Sequence, residues 1–133
     1  MEGILQVRTW LTTLIGDGLE KATSDTSLAP YAGDIAFFRF DWDRRGGELP
    51  YPSTDALRWL VDQGIKLLGI DTPGLDIPGD RSLPNHHLLF ENGIPLIESL
   101  DNLDQLQQPR VYVFAQPLSA TETDAIPLRV LAF

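Results

Sequence analysis

Both histidines of this 133-residue chain sit side by side in Asn85-His86-His87-Leu88-Leu89, and a carboxylate, Glu98, closes the apolar segment Ile94-Pro95-Leu96-Ile97 that follows. Imidazole and carboxylate are the side chains most used to bind a catalytic metal or to move protons near neutral pH. Adjacent histidines at a helix start also serve as surface or capping residues, so the pair alone leaves both readings open. Asp71 and Asp76 flank the loop before the histidines and are the local candidates to add oxygen ligands. An Asp at a strand end also commonly caps a turn. Trp10, Trp42, Trp59, Tyr31, Tyr51 and Tyr112 are available to stack on an aromatic substrate, although Trp59 falls near the apolar face of a helix and suits core packing.

The elements that must position these groups follow from punctuation and periodicity. Ile4, Val7, Leu11, Leu14 and Ile15 recur at helical spacing, which suggests an amphipathic helix over Gly3 to Gly16, while the Val, Thr and Trp content of Ile4 to Trp10 suits a strand nearly as well. Gly18 to Leu28 reads as a short polar helix broken by Pro30 and Gly33. Ile35 to Phe40 is a compact apolar run expected as a buried strand, and Arg44 to Pro52 a loop. Ser53 or Thr54 caps a helix with Leu57, Leu60 and Val61 on one face, ended by Gly64. Ile65 to Asp71 is the clearest strand. Thr72 to Pro84, with three prolines and two glycines, is a long loop, and loops of that length inside a domain are usually functional or flexible. A short helix over His86 to Asn92, a strand over Pro95 to Ser99 and one helical turn over Asp101 to Gln107 come next. Arg110 to Ala115 and Leu128 to Phe133 are expected as buried strands. The order predicts a single mixed α/β domain over residues 1–133.

The run from Gly64 to Asp76, the His-His-Leu-Leu and Ile-Pro-Leu-Ile-Glu segments, Pro117-Leu118 and the closing Pro127 to Ala132 resemble the cyclase-like metal-dependent hydrolases. That family includes the bacterial kynurenine formamidases and isatin hydrolases, and the resemblance covers residues 33–133. It implies a mixed-sheet, swivelling β/β/α domain of α/β class, truncated at its N-terminal side. It also implies that two histidines and an aspartate of a His-x-Gly-Thr-His-x-Asp signature hold a metal, completed by a later His and Glu. Carried over, the later pair falls on His86 and Glu98, 12 residues apart as in the family (98 − 86 = 12), with His87 one place off. Met1 to Gly33 contains no histidine, so the chain is expected to keep half the site and to hold zinc or manganese weakly. Phe40-Asp41-Trp42-Asp43 replaces the family's Thr-Gly-Trp after Arg39, and Ser99 stands where Asn often follows the glutamate. These departures suggest altered chemistry near the pocket, or, for Asp41 and Asp43, solvated loop residues.

Composition narrows the function classes. A net charge of −9 argues against nucleic-acid binding, which needs clustered Lys and Arg. The absence of cysteine excludes disulfides, thiolate nucleophiles and thiolate zinc sites. Neither a signal-peptide start nor an apolar run long enough for a membrane helix is visible, so a cytoplasmic location is expected. No phosphate loop, Gly-x-Ser-x-Gly elbow or nucleotide fingerprint occurs. Two functions remain. The first is an arylformamidase-like hydrolase in which His86 and Glu98 hold metal or shuttle protons to hydrolyse an amide or lactone of a small molecule. The second is a non-catalytic structural or small-molecule-binding member of the family. Self-association as a homodimer is expected, since a chain resembling only the later part of that fold would expose surface that the earlier part covers in the family.

Overall fold

A computed structural model describes residues 5–13 and 30–133 apart from Pro109, with backbone only for Leu5–Thr13 and Arg45. The elements in chain order are β1 (Leu5–Thr13), β2 (Ile35–Arg39), α1 (Trp42–Arg45), α2 (Thr54–Asp62), β3 (Leu67–Ile70), α3 (Pro84–Glu91), β4 (Leu96–Ile97), a 3-10 turn (Leu103–Gln105), β5 (Arg110–Pro117) and β6 (Leu128–Ala132). The first segment is a strand, Leu5–Thr13, and corrects the helix its apolar spacing suggested first. The polar helix expected over Gly18 to Leu28 lies outside the described residues.

Among the described residues the strands form one six-stranded mixed sheet in the order β4-β3-β2-β1-β5-β6. Strands β1 to β4 run parallel, and β5 and β6 are antiparallel to their neighbours. Central parallel strands are covered on both faces, which is why β2 and β3 read as continuous apolar runs. Alternate residues of β2 feed two cores. Ala36 and Phe38 pack with Leu57 and Leu60 of α2, Leu89 of α3 and Leu68 and Ile70 of β3. Ile35 and Phe37 pack on the opposite face with Leu67, Ile97, Leu103 of the 3-10 turn, and Val111, Val113 and Ala115 of β5. Gly69 fits that second layer because a Cβ there would lie 2.5 Å from the Phe37 ring and 2.7 Å from Leu100.

Local chemistry sets the helix positions. Ser53 caps α2 by accepting a hydrogen bond from the Ala56 amide at 3.2 Å. Gly64, at φ +77°, reverses the chain after α2 into β3, a conformation that side chains with a Cβ rarely adopt. At the start of β2, buried Asp34 accepts from Arg110 of β5 at 2.5 Å and from the Tyr31 amide at 2.8 Å. The Arg110 guanidinium also lies 4.1 Å over the Tyr31 ring, so one face of that ring is taken up by this clamp.

Two expectations need correction. Strand β6 is not buried: it is the sheet's edge, and Leu131 and Phe133 are about half and two-thirds exposed, with Tyr112 beside them on β5. An edge strand can be apolar and still wet when no described layer covers its outer face. The segment beginning at Arg44 is also not wholly loop, because α1 spans Trp42–Arg45 before the glycine pair breaks it. Among the described residues no helix is long and apolar enough to cross a membrane.

Candidate functional site

Because β1 to β4 are parallel, their carboxyl ends share one edge of the sheet, where α/β folds place ligand sites. Asp71 follows β3 and Glu98 follows β4 at that edge. The loop from Thr72 to Leu83 folds back so that Asp76 meets the first turn of α3. Its Oδ1 accepts the Asn85 amide at 2.7 Å, and its Oδ2 accepts the His86 amide at 3.1 Å and faces His86 Nδ1 at 2.7 Å. Asp76 therefore caps α3 from a distance and grips the histidine at once, complementing the helix's positive N-terminal end.

The grip decides the histidine's chemistry. Asp76 is buried and its carboxylate faces three nitrogen donors, so Nδ1 is assigned the proton from the hydrogen-bond geometry. Nε2 is then turned outward, 3.2 Å from Glu98 Oε1. A bare imidazole lone pair facing a carboxylate oxygen is two acceptors opposed. The contact becomes attractive when a proton or a metal cation lies between them. A carboxylate that fixes the far nitrogen of an imidazole is also how metal-binding histidines are oriented.

A second buried polar group holds this arrangement. Asn85 donates through Nδ2 to the carbonyls of Pro52, at 3.0 Å, and Leu75, at 2.9 Å, and accepts from Thr54 Oγ1 at 2.8 Å. It ties the start of α2, the long loop and α3 together one residue from His86. Phe90, one helical turn beyond His86, sets its ring against the imidazole with centroids 5.8 Å apart and is more than half exposed.

Of the candidates read from residue order, the structure brings His86 and Glu98 together and leaves His87 exposed. Asp71 does not join them: both its oxygens accept the Phe40 and Asp41 amides at 2.9–3.0 Å, so it caps the end of β2. Asp76 is near but occupies Nδ1, the side of the ring away from Glu98, and cannot share an ion with it. Asp41 is not a solvated loop residue; it pairs with Arg39 at 2.8 Å, whereas Asp43 is exposed. Trp42 and Trp59 pack against the core, Tyr51 and Tyr112 are exposed, and the Trp10 side chain lies outside the described residues. Ser99 adopts φ 55°, a left-handed conformation that Asn tolerates better than most residues. Sequence reasoning missed Asn85 and Phe90. Only the i, i+4 spacing of Phe90 from His86 signalled either of them.

His86 and Glu98 suit a divalent ion in donor type and in outward direction. Among the described residues, however, no group of three or more His, Cys, Asp or Glu side chains comes together to hold one.

Residues 11–77, half of the chain, match the Cyclase family, described as "Putative cyclase". The kynurenine formamidase of Bacillus cytotoxicus is 34% identical over 83 residues, covering 62% of this chain and 39% of that protein. That of Bordetella petrii is 31% identical over 75 residues, covering 56% and 35%. The chain thus spans well under half the length of the curated relatives it matches. A solved potential metal-dependent hydrolase with cyclase activity superposes with a TM-score of 0.78 at 28% identity, over 96% of this chain and 65% of that one. An isatin hydrolase bound to the product analogue thioisatinate shares the fold, with a TM-score of 0.75 at 24% identity over 96% of this chain and 60% of that one. The fold is that of the cyclase-like α/β hydrolases. This chain belongs to the Cyclase family.

Proposed function

We propose that the chain works as a metal-dependent, arylformamidase-like hydrolase in which His86 and Glu98 hold a zinc or manganese ion. The observation that carries this is the His86 ring, fixed at Nδ1 by buried Asp76 and presented through Nε2 to Glu98. An ion there would supply Lewis-acid activation of water and of a scissile amide or lactone carbonyl. Asp76 retains the Nδ1 proton and keeps Nε2 free. Glu98, partly exposed, is placed to accept a proton from an attacking water and return it to a leaving group. Phe90 presents an aromatic edge beside the imidazole, able to exclude water and lie against an apolar or aromatic acyl group. The kynurenine formamidases among its relatives motivate N-formylkynurenine as the substrate to try first.

The test is calorimetric titration with zinc and manganese, paired with hydrolysis of N-formylkynurenine. Wild-type chain should bind metal and hydrolyse the formamide; His86→Ala and Glu98→Gln should lose both, and His87→Ala neither. Binding that survives in His86→Ala would refute the assignment. A non-catalytic, ligand-binding role is the second reading, favoured by the engagement of Asp71 and Asp76, which leaves neither to add a ligand. Metal binding with no turnover would select it.

A further inference from the structure

We propose that Asn85 is the positioning residue of the His86 imidazole: its side chain fixes the peptide that aims Asp76, and Asp76 in turn fixes the ring. The inference rests on the reading of His86 as the working imidazole, and its test needs no metal. Asn85 is 3% exposed and Asp76 6%. The Asn85 Nδ2 group donates to the Leu75 carbonyl at 2.9 Å and to the Pro52 carbonyl at 3.0 Å, while Oδ1 accepts from Thr54 Oγ1 at 2.8 Å. Only one orientation of the amide satisfies all three partners, since a flipped amide would set Oδ1 against two carbonyl oxygens.

The Leu75 carbonyl belongs to the planar peptide that joins Leu75 to Asp76, so a bond to it sets the direction in which the Asp76 side chain leaves the backbone. Leu75 itself is fully buried in the core, which settles where the loop lies but not how that peptide is turned. The Asn85 backbone N–H then meets Asp76 Oδ1 at 2.7 Å, and Oδ2 is left facing the His86 amide and Nδ1, at 3.1 and 2.7 Å. One residue thus holds Asp76 at both its backbone and its carboxylate. Pro52 directly precedes Ser53, the cap of α2, so the bond to its carbonyl carries the same constraint to a third segment. Which imidazole nitrogen keeps the proton is set by the hydrogen bond the ring makes. A loosened Asp76 therefore shows as a change of tautomer and not only as a loss of stability.

Long-range proton–nitrogen correlation NMR of the imidazole reads this in metal-free chain, at alkaline pH where the ring is neutral. His87→Gln, an exposed change, leaves His86 as the one histidine of the chain and is the parent for the comparison. In the parent, the ring should be held as a single Nδ1–H tautomer. Asn85→Leu keeps the volume, drops every side-chain hydrogen bond, and should release the ring to a mixture in which Nε2–H exceeds Nδ1–H. Thr54→Val removes only the hydroxyl on Oδ1; it decides the matter if Asn85→Leu does not fold, and it should give a smaller Nε2–H share. A structural role alone would lower the urea midpoint of unfolding and leave the tautomer of the folded chain as it was. An unchanged tautomer in every variant that folds would overturn the proposal, as would an Nε2–H ring in the parent. Titration of the same proteins with zinc and manganese keeps the two readings apart. A parent that holds Nδ1–H, loses it in Asn85→Leu and binds neither ion would refute the metal site and uphold the positioning role.

Discussion

The two faces of the sheet handle polar groups in opposite ways. On the face covered by α2 and α3, Asp76 and Asn85 are buried, and backbone amides and carbonyls satisfy them. On the other face the core is apolar contact around Gly69 and Phe37, and polar pairing moves outward to the partly exposed Arg44–Asp104 pair, near the 3-10 turn. Buried, satisfied polar groups are costly to misplace, so they fix one geometry. Exposed ion pairs decorate a geometry fixed by other contacts. The candidate site lies on the face with the buried network, as expected if His86 must be aimed to within a fraction of an ångström.

Breaking the network should have the largest effect. Asp76→Ala strips the acceptor from the Asn85 and His86 amides and from His86 Nδ1, and it should lower unfolding stability by about 3 kcal/mol, since each uncompensated buried donor costs roughly 1–3 kcal/mol. Urea denaturation measures this. A loss below about 1 kcal/mol would mean that water replaces the carboxylate easily, and that the contrast between the faces is false. Metal affinity should fall as well, because the ring loses its orientation.

On the opposite face the comparable lesion is one of shape. Gly69→Ala drives a methyl into the Phe37 ring and Leu100 and should cost about 2 kcal/mol, the usual range for overpacking. It should leave zinc affinity unchanged, since His86 and Glu98 pack on the other side. Loss of metal binding in Gly69→Ala would show the faces to be coupled. A smaller effect, of opposite sign, is expected where the site meets the backbone. Ser99→Asn should raise stability by about 0.5 kcal/mol by easing the left-handed turn after Glu98, read as a small upward shift in melting temperature.

How much of this could be read from residue order depends on whether a feature is local. Strands β2 and β3 were legible because both their faces are buried, leaving an uninterrupted apolar run, and α2 because Ser53 and Gly64 mark its ends. For β1, Leu and Val at mixed spacing fit a helix slightly better than a strand, and only pairing with β2 and β5 decides for the strand. Edge exposure of β6 is a property of the sheet order, invisible in an apolar segment. The His86–Glu98 pair was legible through family resemblance. The cradle was not: Asp76 reaches His86 only because the loop turns back over ten residues, and Asn85 looks like a common turn residue until three segments are seen to close on it.

The smallest predicted effect concerns the exposed pair. Arg44 Nη1 lies 2.9 Å from Asp104 Oδ2, and the hydrogen bond from Arg44 holds the Asp104 carboxyl below its ordinary value of 3.8, with the opposite charge of Arg44 adding to it. A carboxylate whose folded-state pKa is depressed contributes stability above its unfolded-state pKa, and that contribution disappears as pH falls through the folded-state value. Arg44→Ala should therefore leave neutral-pH stability almost unchanged, because the pair is open to solvent. It should raise the Asp104 titration midpoint, followed by carboxyl NMR shifts, back toward 3.8. The gap in stability between wild type and variant should be greatest above that pH and close below it. If the midpoint stays where it is in Arg44→Ala, the ion pair does not form in solution, and polar pairing on this face is weaker still than the contrast with Asp76 requires.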